Sequence, residues 1–174
     1  LDLLEEKEGD MVARLQQAIT AHPTAVQPRV VLARYYLARG KFEQVVGLFS
    51  ELTERQKNGP AVLGVVAQSQ MAQRQYFEAK LTLLRKLESQ HDSAYTHFLL
   101  AQSYEGLKDR KQMMLELRKS VELAPKSSFA RLALARGYLL EGDEDGAKEQ
   151  LNFLEKLAPE NPAVLQLKAL LYRR

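Results

Sequence analysis

Apolar residues in this chain recur at the three- and four-residue spacing of a helix face, not at the alternation of a half-buried strand. Leu32, Ala33 and Tyr36 share one such face, and Val45, Phe49 and Leu52 share the next. The same arrangement returns with Leu134, Ala135 and Tyr138, then Ala147, Leu151 and Leu154. An alanine recurs every 34 residues, at Ala33, Ala67, Ala101, Ala135 and Ala169. Three positions further on stand Tyr36, Gln70, Tyr104, Tyr138 and Tyr172. A fixed period of this length predicts stacked helix–turn–helix units, an all-α solenoid. Small residues at fixed phases let helices approach and large ones fill the gaps between them, so these positions specify the fold and not a ligand.

Counting from Val26 gives units at 26–59, 60–93, 94–127 and 128–161, with the first helix of a further unit at 162–174. Residues 1–25 read as the second helix of a preceding unit, with Met11, Leu15 and Ala18 inward and Pro23 closing it. Each unit is expected to hold two antiparallel helices of about 13 residues, roughly 20 Å long. Gly142-Asp143 predicts a turn, because glycine accepts a left-handed backbone and aspartate accepts free amide hydrogens; Gly40-Lys41 falls at the same phase. Pro23, Pro125 and Pro159 share another phase, where a residue without an amide hydrogen ends the preceding helix.

These residues resemble the tetratricopeptide repeat family, whose signature runs W-x2-L-G-x2-Y, A-x3-F, P. The matches are Leu32-Ala33 with Tyr36, Leu100-Ala101 with Tyr104, Leu134-Ala135 with Tyr138, Ala79 with Leu83, Ala147 with Leu151, and Pro125 and Pro159. The signature tryptophan is replaced by Arg29, Leu63, His97, Arg131 and Leu165, one tyrosine by Gln70, and the proline by Lys57 and His91. Lys86 and Lys168 fall at phases that are normally apolar, so looseness is expected in the second unit and exposure at Lys168. The resemblance implies a right-handed α-solenoid whose first helices line a concave face.

Carried onto this sequence, the family's inner positions include a polar row, Arg34, Gln68, Gln102 and Arg136. They also include an apolar, aromatic patch at Tyr95, Phe98, Phe129 and Leu132. Further lining falls to Val30, Gly64, Glu105, Leu139 and Leu140. Exposed aromatics beside arginine are what protein-binding hot spots favour, whereas the same aromatics packed on a neighbouring helix would be core. One subfamily grips carboxylate tails with a lysine/asparagine clamp; its phases here hold Val30, Arg34, Val65, Tyr95 and Leu99, so that clamp is not expected. Segments such as VLARYYLARG and LLAQSYEGLKD are similar to bacterial tetratricopeptide proteins of the cell envelope, including lipoproteins of exopolysaccharide and exosortase loci. That likeness implies a periplasmic or envelope location in preference to the cytoplasm.

Composition narrows the chemistry. Hydrophobic residues make up 45% of the 174 and charged residues 27%, the balance of a folded chain. Without cysteine there is no disulfide, thiolate metal site or thiol nucleophile. A net charge of +3, with basic pairs at Arg85-Lys86, Arg110-Lys111 and Arg173-Arg174, is too dispersed for a nucleic-acid face. RNA-reading helical repeats carry a basic face, which this sequence lacks. No run reaches the ~18 apolar residues that span a membrane. A start at Leu1 and a stop at Arg174 within a repeat lead us to expect a fragment of a longer protein.

His22 and His91 fall in turns and His97 at a core phase, so no metal or catalytic histidine is expected. Single glycines form no phosphate loop, and Glu5-Glu6-Lys7-Glu8 reads as a solvated terminus. The sequence therefore predicts a non-enzymatic scaffold without cofactor, metal or small-molecule substrate. Its expected partner is a protein or peptide, with self-assembly through open repeat ends as the alternative.

Overall fold

Helix faces at these spacings close into eleven α-helices, with no strand among the described residues. The structure is a computed structural model that describes residues 2–89 and 92–172, with side chains from Lys7 onward. His91, Arg173, Arg174 and the side chains of Glu5 and Glu6 lie outside the described residues. The helices fall into two compact units, 1–91 and 92–174. The first holds α1 (Asp2–Ala21), α2 (Val26–Ala38), α3 (Phe42–Gly47), α4 (Glu54–Lys57), α5 (Pro60–Ala72) and α6 (Tyr76–Ser89). The second holds α7 (Ala94–Gly106), α8 (Arg110–Leu123), α9 (Ser128–Glu141), α10 (Glu144–Leu157) and α11 (Pro162–Leu171).

Within each unit, helices adjacent in sequence pack as antiparallel pairs and each pair stacks on the next. In the first, α2 packs on α1, α3 and α5, and α5 packs on α6; in the second, α7 to α11 follow one another in the same way. Four of the recurring alanines are sealed: Ala33, Ala67, Ala101 and Ala135 are at most 1% exposed. Ala169 is exposed instead, since α11 is covered only on the side that faces α9 and α10. The exposure expected at Lys168 is present, its ammonium lying 2.7 Å from Glu155. Lys86 is half-buried, its stem running beneath Gly64 and its ammonium pushed below the usual lysine range by burial.

The turn inside each helix pair is one recurring device. Gly40, Arg74, Lys108 and Gly142, each 34 residues from the next, all adopt the left-handed backbone, with φ of +70°, +60°, +61° and +78°. The amide after each donates to the carbonyl five residues back: Lys41 to Tyr36, Gln75 to Gln70, Asp109 to Tyr104 and Asp143 to Tyr138, at 2.8–2.9 Å. This is the Schellman closure of a helix C-terminus. The aspartates then cap the next helix, Asp109 accepting from the Gln112 amide at 3.1 Å and Asp143 from Gly146 at 2.8 Å.

The expectation of two 13-residue helices in every pair fails at 42–57. There α3 stops after six residues and the chain restarts as the four-residue α4. Tight three-residue bonds replace helical ones, Phe49 to Val46, Ser50 to Gly47 and Leu52 to Phe49. Arg29 Nη1 takes the Leu48 carbonyl at 2.6 Å, and Thr53 with Gln56 forms a capping box that starts α4. Val45, Phe49 and Leu52 are nevertheless all buried, so the apolar face survives the broken helix.

At three of the five tryptophan positions, Arg29, His97 and Arg131, a polar bridge stands in. Arg29, only 3% exposed, donates to the Pro23 carbonyl at 2.9 Å and meets Glu51 at 2.7 Å. Arg131 repeats this three repeats later, donating to the Pro125 carbonyl and to Gln150 Oε1, both at 2.6 Å, with its guanidinium 3.7 Å over Phe153. His97 reaches Glu116, 19 residues on, which is also the separation of Arg29 from Leu48 and of Arg131 from Gln150. Each bridge ties a first helix to the segment that follows it.

Candidate partner-binding site

The repeat period decides which side chains meet on α7 and α9. Tyr95 and Phe129 share one phase, Phe98 and Leu132 the next, Gln102 and Arg136 a third. On a helix, residues three and four apart stand one above the other, so the six form two adjacent columns. The rings touch: Phe98 and Phe129 meet edge-on with centroids 4.8 Å apart, and Tyr95 lies 6.1 Å from Phe129 and 6.3 Å from Phe98. Such spacings are those of favourable aromatic pairs.

The three rings divide between exposure and burial. Tyr95 and Phe129 are 47% and 46% exposed, whereas Phe98 is half-buried against the cluster of Met113, Met114, Leu117 and Leu134. Below the rings, Phe98, Gln102, Phe129, Leu132 and Arg136 line a cavity of about 240 Å³ together with Glu105 and Leu140. Met113 and Leu117 of α8 form its floor. Gly137 at its edge permits the close approach of α8, since a Cβ there would lie 2.4 Å from Met114 Sδ. Sequence reasoning missed this floor, because second-helix residues carry no sign of which first-helix gap they underlie.

Arg136 and Glu105 form no ion pair with any described residue, so the cavity presents one free cation and one free anion. Tyr104, on the same helix as Gln102, has its hydroxyl pushed above the usual tyrosine range by burial first and by Glu116 and Asp109 second. His97 does have an acidic partner, which the sequence did not reveal: its Nδ1 lies 2.6 Å from Glu116, and its buried Nε2, without a hydrogen bond, lies 3.7 Å from Asp92. It ties α7 to α8 and does not line the cavity. No cluster of three metal-ligating side chains occurs among the described residues.

Arg34 and Gln68 stand in the first unit, Arg34 exposed on α2 and Gln68 half-buried on α5. Val30, counted toward the lining, is 2% exposed and belongs to the core with Val65.

No protein-family model matches the sequence, and no curated protein matches it. Solved structures do. The chain is 16% identical to pilF of Pseudomonas aeruginosa, covering 98% of this chain and 79% of that one with a TM-score of 0.81. It is 18% identical to a thermophilic TPR protein of Thermus thermophilus, over 97% and 94%, with a TM-score of 0.76. It is 17% identical to YrrB, a TPR protein with an unusual peptide-binding site, over 91% and 82%, with a TM-score of 0.73. At these identities the likeness shows the fold, that of tetratricopeptide repeats.

Proposed function

We propose that this chain, built on the tetratricopeptide fold, is a non-enzymatic scaffold that holds a peptide or protein segment against its first helices. The reading rests on one observation: Tyr95, Phe98 and Phe129 form an open aromatic cluster above a cavity rimmed by Gln102, Leu132 and Arg136. Half-exposed rings supply apolar area at little entropic loss, and an unpaired guanidinium supplies a donor fork for carboxylates or backbone carbonyls. The peptide-binding site of YrrB, on the same fold, supports this use of the repeats. What lines the cavity suits holding rather than reacting. Phe129→Glu places a charge in the cluster at an exposed position, so the helical circular dichroism should persist. Retained partners in a pull-down from the source organism should be lost, and an unchanged set would count against the site.

A second reading, self-assembly, draws on α11 and the residue that follows it: Leu165, Leu170 and Tyr172 are 52%, 56% and 58% exposed. Stacked repeats shield such faces with a neighbouring helix pair or another copy. Light scattering over a concentration series tests it: mass should rise with concentration in the wild type and not in Leu165→Glu, and a monomer throughout removes it.

A further inference from the structure

The break between α3 and α4 leaves a second cavity, of about 460 Å³, in the first unit. Second helices elsewhere, α6, α8 and α10, run 14 residues, so six-residue α3 leaves more than a turn of wall unbuilt beside α5. The floor is apolar: Phe49, Val62 and Leu63 are at most 5% exposed, and half-buried Val66 continues it. Gln70 stands where Tyr36, Tyr104 and Tyr138 pack against the core, and it lines this cavity. Its Oε1 is buried with no donor reaching it, an arrangement that costs stability unless something else donates. At the rim, Lys57 and Glu54 neutralise each other at 3.0 Å. Arg85, exposed and without an ion pair among the described residues, leaves the mouth positive.

We propose that this cavity is a binding site for a small anionic ring compound carrying one N–H or O–H donor. The ring occupies the apolar floor, the Gln70 side-chain amide turns into the cavity so that the donor reaches its Oε1, and the anion meets Arg85. Size and lining suit a small ligand: pockets of roughly 300–1,000 Å³, mainly apolar with a few placed polar groups, are the usual form of such sites. The site does not depend on the aromatic cluster of the second unit.

Indole-3-acetate has all three features, tryptophol lacks the carboxylate, and 1-naphthaleneacetate lacks the donor. Titrated into the isotopically labelled chain at up to about 10 mM, indole-3-acetate should shift the Gln70 side-chain amide and the α5 backbone resonances. The other two probes should bind roughly tenfold more weakly, as expected for one lost polar contact. Gln70→Tyr, which installs the residue of the other repeats, should abolish the shifts while retaining helical circular dichroism. Arg85→Gln should weaken indole-3-acetate and leave tryptophol unchanged, and Phe129→Glu should alter neither. Absence of shifts with indole-3-acetate, equal binding of all three probes, or undiminished shifts in Gln70→Tyr would each overturn the proposal.

Discussion

Arg74 and Lys108 hold the left-handed backbone that Gly40 and Gly142 adopt without strain. For a residue with a Cβ that conformation costs about 1–2 kcal/mol, of which glycine's greater freedom in the unfolded chain returns about 0.5–1 kcal/mol. Arg74→Gly and Lys108→Gly are therefore expected to stabilise the protein by about 0.5 kcal/mol each, read as a higher midpoint in denaturant. No change or a loss would mean that the two long side chains hold the corner through contacts of their own. Only half of these corners was legible in the sequence. Glycine announces a left-handed turn, whereas an arginine or lysine that tolerates one looks like any other exposed cation. The tryptophan phase behaves similarly: Arg29 and Arg131 read as departures from a pattern, and only packing turns them into bridges to Leu48 and Gln150.

Between residues 42 and 57 the helix breaks although the sequence pattern continues, and the reason is physical. Val45, Phe49 and Leu52 keep the spacing of one face whether the backbone is α-helical or tightened into three-residue turns, because burial selects the face and not the hydrogen-bond ladder. The signals of the break were local, Gly47 among the apolar positions and Thr53 three residues before Gln56. Thr53→Ala removes the capping box and is expected to destabilise the chain by about 1 kcal/mol. Amide exchange should quicken at Glu54–Lys57 first, because α4 is too short to persist without its cap. Uniform exchange across α5 and α6 instead would show that the loss lies elsewhere.

For the whole chain, the repeat phase made the second-unit aromatic cluster readable: residues 34 apart occupy equivalent places on successive first helices, so Tyr95 neighbours Phe129. The floor and the His97–Glu116 pair were not readable, since they depend on how deeply a second helix sits against the first. Stacked repeats add their stabilities locally. Arg29→Ala deletes a buried guanidinium with three partners and is expected to cost about 2–3 kcal/mol. Hydrogen exchange should accelerate roughly a hundredfold in α2 and α3 while α9–α11 keep wild-type rates. Equal acceleration in every helix would indicate one cooperative core instead. The four left-handed corners carry one more consequence, for chain length. They fix where each return begins, so an extra residue inside α7 would swing all that follows by about 100° around the axis and scatter the aromatic columns. The same insertion beside Lys126, in the link between α8 and α9, adds slack without changing the azimuth of either rod. Natural or engineered length variants of this protein should accordingly accumulate at such links and spare the rods.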